Sequence, residues 1–118
     1  MQKRMLRIAE PEDIDELVKL EELSFPQEPW SRRMLQEELN NRLAYFAVIE
    51  ETSDAASEDS SEPPDAEKNR IIAYIIAWII EPFECQIGSI AVHPERRREG
   101  LAEKMLQALF MRCRELSV

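Results

Sequence analysis

The sequence predicts a single α/β domain with the element order strand, helix, helix, strand, strand, strand, helix. Runs of β-branched and aromatic residues alternate along the chain with segments whose apolar residues recur at steps of three and four, which indicate strands and amphipathic helices respectively. The chain has 118 residues, of which 44% are hydrophobic and 33% charged. This is enough for one modest core and too little for two domains, so residues 1–118 are expected to form one unit.

The first half of the chain predicts one strand and two helices. A short apolar run over residues 4–9 predicts the strand, and Pro11 follows where a helix begins, because proline suits the first helical position. The next apolar residues have helical spacing: Ile14, Leu17, Val18, Leu20 and Leu23. The polar residues between them are expected to face solvent: Asp13, Asp15, Glu16, Lys19, Glu21 and Glu22. Two prolines and two aromatic rings in residues 25–30 predict a loop, after which Ser31 can cap a helix from 32 to about 40.

Three further strands and a helix are predicted in the second half. Residues 43–49 form the first of these strands, and residues 70–80 form an unbroken apolar run that is typical of a central strand covered on both faces. A further strand is predicted at about 84–92, close enough to pair with the preceding one as a hairpin. Residues 51–69 hold seven acids and one base, a net −6 of the chain's −9, and are expected to form a flexible acidic insert. The final helix, from 100 to about 116, has one apolar stripe: Ala102, Met105, Leu106, Leu109, Cys113 and Leu116.

Composition argues against several classes of function. The acidic net charge of −9 argues against non-specific nucleic-acid binding, which needs a basic face. Cys85 and Cys113 lack the spacing of a metal site, so two reduced thiols and no bound metal are expected. The longest apolar run has ten residues, whereas about 20 are needed to cross a bilayer. The N-terminus has no apolar signal-peptide core, so a cytoplasmic protein without membrane association is predicted.

Glycine occurs only at Gly88 and Gly100, and Gly100 lies between a predicted strand and the last helix. Three consecutive arginines, residues 96–98, precede it, and Ala102 keeps the first turn of the helix uncrowded. The free N–H groups of a helix N-terminus and the positive end of its dipole suit a phosphate or pyrophosphate. From these residues alone, an ordinary connecting turn with solvent-exposed arginines remains an alternative to the anion site.

The string IAVHPERRREGLAEKML, residues 90–106, resembles the acetyl-CoA-binding motif of the GNAT superfamily of N-acetyltransferases. The motif, Q/R-x-x-G-x-G/A after a strand, is met by Arg97, Gly100 and Ala102. Within the superfamily, FPQEPWSRRMLQEEL at residues 25–39 looks most like the ribosomal-protein alanine N-acetyltransferase (RimI-like) branch. The resemblance implies a mostly antiparallel central sheet of about four strands, flanked by helices. It also implies acetyl-CoA as co-substrate and a protein or peptide N-terminus as acceptor.

The resemblance assigns roles to particular residues. The backbone of Ile90, Ala91 and Val92 would pair with the pantetheine amides of the cofactor. The turn that follows would hold the pyrophosphate: Arg97, Arg98, Glu99, Gly100, Leu101, Ala102 and Glu103. Phe25 and Trp30 would border the acceptor site, with Trp30 as a core anchor the alternative.

Glu84 is the candidate base of the reaction, acting through water, with an ordinary surface glutamate as the alternative. His93, the only histidine, is expected to have a structural role. Tyr45 and Tyr74 lie inside apolar strand runs and are expected in the core.

The sequence departs from the family at its end, because the usual domain continues with further strands and a helix. Those elements carry a catalytic Glu, an Asn and a Tyr in the branch that this sequence resembles, and the C-terminal strands of the family are not found before Val118. The chain is therefore expected to be a truncated enzyme, a partner of another chain, or an inactive remnant. An exposed edge on the strand at 84–92 predicts a homo-oligomer. A non-catalytic CoA-binding or partner-pairing module and a small-molecule amine acetyltransferase remain alternative functions.

Overall fold

The computed structural model describes residues 3–52, 69–80 and 84–116. Its helices and strands are β1 Lys3–Ile8, α1 Ile14–Ser24, α2 Arg32–Leu39, β2 Ala44–Thr52, β3 Asn69–Ile80, β4 Glu84–Val92 and α3 Leu101–Glu115. Short 3₁₀ turns cover Pro11–Asp13 and Pro94–Arg96. The four strands form one sheet in the order β1-β2-β3-β4, with every neighbouring pair antiparallel. The predicted α/β fold class and antiparallel sheet are confirmed.

The sheet has a separate apolar core on each face. One face packs against α3 through Met105 and Leu109, and the other packs against α1 and α2 through Leu17 and Leu35. Seven consecutive residues of β3, 71–77, are buried because both faces of this strand are covered. The prediction of a central strand from the unbroken apolar run is therefore confirmed.

The first two helices begin where local chemistry allows. Pro11 opens a 3₁₀ turn, so that α1 itself starts at Ile14, three residues later than Pro11 suggested. Ser31 caps α2 as predicted, since its hydroxyl accepts the Met34 N–H at 3.1 Å.

The prediction that the polar face of α1 meets solvent is wrong for two residues. Glu21 is 0% exposed and Asp13 is 8% exposed. Each carboxylate is buried because it has partners: Arg7 donates two hydrogen bonds to Asp13, at 2.7 and 2.8 Å, and Glu21 accepts from a hydroxyl and a backbone N–H.

The boundary of the acidic insert also differs from the prediction. Glu51, which the sequence places in the insert, lies in β2 and is only 3% exposed, and Asn69 already belongs to β3. Glu51 can be buried because the guanidinium groups of Arg4 and Arg96 surround it. Residues 53–68 lie outside the described residues, so the flexible insert stays a prediction, as does the assignment of residues 1–118 to one domain. Within the described ranges, no helix has the length and apolarity to cross a membrane.

Candidate functional site

The turn between β4 and α3 ends in an N-terminus of α3 with free donors. Gly100 caps the helix with φ +77°, a left-handed conformation that glycine adopts without strain. The first bond of the helix runs from the Lys104 N–H to the Gly100 carbonyl, at 3.1 Å. The N–H groups of residues 101–103 precede that bond and point out of the helix end, where the dipole adds positive potential. The geometry is that of an anion site.

A cavity of about 520 Å³ extends from this helix end along β4. It is lined by Ser24, Phe25, Ile90, Ala91, Val92, Arg96, Arg97, Arg98, Gly100, Leu101, Ala102 and Glu103. The structure thus brings together all of the predicted cofactor-binding residues except Glu99. Glu99 turns away from the cavity lining and pairs with Arg4, at 2.5 Å.

The three arginines of the turn have different surroundings. Arg96 forms a two-point ion pair with Glu51, with distances of 2.9 and 3.0 Å. The Arg97 Nε donates to the Val92 carbonyl at 3.3 Å, so this side chain folds back toward the end of β4. Arg97 and Arg98 are exposed at the cavity, and their charges favour an anionic ligand there.

The strand that borders the cavity pairs with a neighbour on one side only within the described residues, because β4 is the edge of the sheet. Its register with β3 shifts by one residue at Gly88: Ser89 faces Ile76, whereas Ile87 faces Ala77. Such a bulge increases the local twist and re-aims the following side chains. On an edge strand the N–H and C=O groups of alternate residues point away from the neighbouring strand, so part of the backbone of residues 90–92 is open beside the cavity that they line. An extended molecule with amide groups can pair with such an edge.

The residues present fit a molecule with an amide-containing arm and a phosphate end. A Cβ atom added at Gly100 would meet no atom within 4 Å, so a side chain there would project into the open space of the site. The open strand edge suits the amide arm, and the end of α3 with Arg97 and Arg98 suits the phosphates.

A second cavity of about 410 Å³ adjoins the first and shares Phe25 and Ile90 with it. It is lined by Glu21, Phe25, Glu28, Trp30, Ile87, Gly88, Ser89 and Ile90. The structure therefore brings Phe25 and Trp30 together at the cavity next to the predicted cofactor site. Two ligands bound in these cavities would meet beside Ile90.

A buried polar cluster, which we call the Glu21 cluster, supports the wall of this second cavity. It consists of Glu21, Tyr74 and Ser89: the Tyr74 hydroxyl hydrogen-bonds to the Glu21 carboxylate and lies 2.9 Å from the Ser89 hydroxyl. Glu21 also accepts the Trp30 N–H at 2.8 Å. Burial raises the pKa of Tyr74 above its usual range, and the neighbouring Glu21 carboxylate raises it further, so Tyr74 remains a neutral donor.

Sequence reasoning missed Glu21 and Ser89 as parts of the site, and took Tyr74 as core only. One signal was present: Glu21 follows the buried Leu17 by four residues and therefore lies on the same face of α1. The indole rings of Trp30 and Trp78 stack with centroids 6.4 Å apart, and the Trp78 Nε1–H donates to Glu38 at 2.7 Å. Trp30 is thus both a core anchor and a cavity wall.

The candidate base is not brought to either cavity. Glu84 is the first residue of β4 and is exposed, and it accepts a hydrogen bond from Gln86 at 3.4 Å. Ile90 lies six residues further along the strand, which corresponds to about 20 Å. A direct role for Glu84 at the junction of the cavities finds no support in this placement.

His93 has a structural position at the end of β4. Its Nδ1 accepts the Glu95 N–H at 3.1 Å and so caps the 3₁₀ turn, while its backbone N–H donates to the Ile72 carbonyl at 2.7 Å. This agrees with the structural role expected from the sequence.

Known proteins resemble this chain in sequence and in fold. A putative [ribosomal protein bS18]-alanine N-acetyltransferase of Bacillus subtilis (strain 168) is 29% identical over 114 residues, which are 96% of this chain and 64% of that protein. The chain therefore spans less than two thirds of the length of this relative.

Two solved structures show the same fold at low identity. Ard1 from Thermoplasma volcanium has a TM-score of 0.74 and 17% identity, with 98% of this chain and 66% of that chain covered. The PaiA N-acetyltransferase from Thermoplasma acidophilum, in complex with coenzyme A, has a TM-score of 0.71 and 14% identity, with 96% and 73% covered. The sequence profile described as acetyltransferase (GNAT) family matches residues 14–118. With this match over most of its length and with this fold, the chain belongs to the GNAT acetyltransferase family.

Proposed function

We propose that the chain is an acetyl-CoA-dependent N-acetyltransferase domain whose acceptor is the α-amino group of a protein, of the ribosomal-protein alanine type. The observation that carries the proposal is the meeting of two cavities at Phe25 and Ile90, one with an anion site and an open strand edge and the other bordered by aromatic rings. This arrangement suits a reaction between two bound molecules, because it places them side by side.

Acetyl-CoA would lie in the first cavity, and its thioester supplies an activated acetyl group when bound. The backbone of Ile90 to Val92 would align the pantetheine arm by strand addition, and the amides of residues 97–103 would hold the pyrophosphate. Gly100 permits close approach of the backbone, while Arg97 and Arg98 add positive charge at the mouth.

The acceptor amine would enter the second cavity, between Phe25 and Trp30. The amine must lose a proton before it can attack, so a carboxylate near the junction would assist. Glu21 already accepts two hydrogen bonds, whereas Glu28 is exposed and lines the same cavity. Glu84, at the far end of β4, would act only through a longer relay. Comparing Glu28→Gln with Glu84→Gln in kcat/KM tests which carboxylate serves.

Calorimetric titration with acetyl-CoA is the test of the proposal, followed by turnover on an alanine-starting peptide. Micromolar binding with acetylation of the peptide is the expected result. Binding without turnover would favour a non-catalytic CoA-binding module, and turnover of small-molecule amines such as aminoglycosides instead of the peptide would favour a small-molecule enzyme. A chain that shows no binding at millimolar acetyl-CoA would contradict the proposal.

We also propose self-association through the edge of β4 at residues 84–86, which line neither cavity, so that a second copy and acetyl-CoA do not compete for the same backbone groups. Among the described residues this edge has no strand neighbour, and Glu84, Cys85 and Gln86 on it are exposed. Backbone groups on an open edge can pair with those of a second copy. Light scattering at tens of micromolar should give the mass of a dimer or larger species, and a monomer at that concentration would contradict this.

A further inference from the structure

Glu51 is a buried carboxylate that holds the anion-binding turn from a neighbouring strand. It lies at the end of β2 and is 3% exposed. Both of its oxygens accept from Arg96, at 2.9 and 3.0 Å, and one of them also accepts the Arg4 Nε–H at 3.1 Å. The Arg96 guanidinium holds the pKa of Glu51 below its usual range, and Arg4 adds to the effect, so the carboxylate is charged.

The same network reaches the other side of the turn. Arg4, directly opposite Glu51 in the β1–β2 register, donates a second bond to Glu99 at 2.5 Å. Arg96 and Glu99 therefore flank Arg97 and Arg98 in the chain. Arg96 binds Glu51 of β2, and Glu99 binds Arg4 of β1. We call these four residues, Arg4, Glu51, Arg96 and Glu99, the Glu51 network.

The segment between Arg96 and Glu99 contains a residue whose backbone conformation requires such support. Arg98 has φ +67° and is the one non-glycine residue with positive φ in the part of the chain that the structure describes. A side chain in the left-handed region strains the backbone, and such strain persists only where the surroundings fix it. The Glu51 network provides this fixation immediately before and after the segment.

We propose that Glu51 is a positioning residue of the cofactor site: through Arg96, and through Arg4 and Glu99, it holds residues 97–100 so that the turn and the end of α3 face the phosphates. The inference deepens the proposed function and rests on it. It also assigns Arg96 to the support of the turn, although Arg96 lines the cavity beside Arg97 and Arg98. Direct binding of phosphate by Arg96 is the competing interpretation.

A matched control lies next to Glu51 in the chain. Glu50 points to the opposite face of the sheet, because side chains alternate along a strand. It pairs with Arg7 at 2.8 Å, and Arg7 also binds Asp13, which belongs to the turn before α1. Glu50→Gln therefore removes a charge from the same strand without touching the Glu51 network.

The experiment compares acetyl-CoA with S-acetyl-pantetheine, which lacks the pyrophosphate and the phosphorylated adenosine attached to it, in NMR titrations of the wild type, Glu51→Gln and Glu50→Gln. We expect Glu51→Gln to weaken acetyl-CoA binding about tenfold, equivalent to about 1.4 kcal/mol, and to change S-acetyl-pantetheine binding less than about twofold. Glu50→Gln should leave both affinities unchanged. Equal losses for the two ligands, no loss, or tighter binding of acetyl-CoA would overturn the proposal.

The variant Arg96→Gln tests whether Arg96 supports the turn or binds the phosphates directly. Alone it should weaken acetyl-CoA binding by no more than Glu51→Gln does, because Glu51 also acts through Arg4. In the Glu51→Gln background it should add nothing, since the contact between Glu51 and Arg96 is already disrupted. Additive losses would mean that Arg96 touches the phosphates itself and would overturn the proposal. Should Glu51→Gln fold poorly, Glu99→Gln breaks the network at its exposed end and is expected to show the same selective loss of acetyl-CoA binding.

The backbone amide signals of residues 97–103 distinguish failure of this inference from failure of the proposed function. In the ligand-free protein they should move in Glu51→Gln and not in Glu50→Gln. If the wild type binds neither ligand, the proposed function fails. The amide signals of the ligand-free variants then still test whether Glu51 fixes the conformation of the turn. Signals that stay in place in Glu51→Gln would overturn the role of Glu51.

Discussion

Glu21 accepts the backbone N–H of Trp30 at 2.8 Å, and this bond joins α1 to the loop that borders the second cavity. The other oxygen of the carboxylate binds the Tyr74 hydroxyl on β3. A single buried carboxylate therefore fixes the loop relative to both a helix and the central strand. Its burial is tolerated because each oxygen has a donor.

Replacing Glu21 by alanine should lower the free energy of unfolding by about 2–4 kcal/mol. The change leaves the Trp30 N–H without its acceptor and removes one of the two partners of the Tyr74 hydroxyl, and each unsatisfied buried polar group costs about 1–3 kcal/mol. Urea denaturation followed by tryptophan fluorescence measures the effect. Glu22→Ala, at the exposed neighbouring position, is the control and should stay within about 0.5 kcal/mol of the wild type. Similar losses in both variants would show that Glu21 has no special role.

Most of the fold follows from local pattern. The steps of three and four between apolar residues predicted α1 and α3, and the unbroken apolar run predicted β3 as the central strand, because these patterns depend only on which face is buried. The ends of the helices and strands were less predictable. The sequence placed Glu51 in a polar insert, and only the tertiary contact with Arg96 explains why β2 continues through it.

The site was predictable where a helix end and a motif define it. Gly100 and the turn before it come from contiguous residues, so the sequence pattern contains their geometry. The Glu21 cluster could not be predicted in the same way, since Tyr74 and Ser89 lie 53 and 68 residues from Glu21 along the chain. Only pairing of β3 with β4 and packing of α1 on the sheet bring these polar groups together.

Gly100→Val should strongly weaken acetyl-CoA binding and retain the fold. Gly100 has φ +77° and open space around its Cα, so valine adds backbone strain and fills the place where a ligand approaches. We expect an affinity loss of more than about tenfold with a stability loss of about 1–2 kcal/mol. Gly100→Ala carries the strain with less bulk and should lose less affinity. Calorimetry and thermal melting measure the two effects, and unchanged affinity in the valine variant would contradict the assigned site.

Gly88→Ala should weaken binding of the acceptor peptide in the second cavity and leave the affinity for acetyl-CoA unchanged. A Cβ atom at this position would lie 2.5 Å from a ring carbon of Trp78, which must therefore shift. Trp78 stacks on Trp30, so the wall of the second cavity moves with it. The expected result is a raised KM for the peptide, several-fold or more, with the acetyl-CoA affinity within about twofold of the wild type. Ala108→Gly, a change of one methyl group on α3, serves as a control for general loosening. A loss of acetyl-CoA affinity equal to the rise in KM would count against separate cavities.

Stability should fall as the pH drops below about 6.5 because of His93. Burial lowers the pKa of His93, and the nearby Arg70 cation lowers it further, so the folded state favours the neutral ring. The neutral Nδ1 also accepts the Glu95 N–H. This contribution is fully present above the unfolded pKa and is lost as the pH falls from there through the folded pKa. His93→Asn keeps an acceptor for the cap but does not titrate, so its melting temperature should depend less on pH between 7 and 5. Parallel pH profiles of the two proteins would refute the assignment to His93.

Cys85 should react slowly with alkylating reagents although it is exposed. Its pKa is raised from 9.0 to about 11, mainly by desolvation and further by a hydrogen bond with the buried Cys113 thiol. Thiolate is the reactive form, so at pH 8 the rate with iodoacetamide should be at least about tenfold below that of an ordinary exposed cysteine. Cys113→Ala removes the partner thiol and should speed the reaction, whereas Cys113→Ser retains a hydrogen-bonding group and should change it less. Mass spectrometry of alkylation at Cys85 against pH measures the midpoint, and a midpoint at or below 9.0 in the wild type would contradict the raised pKa.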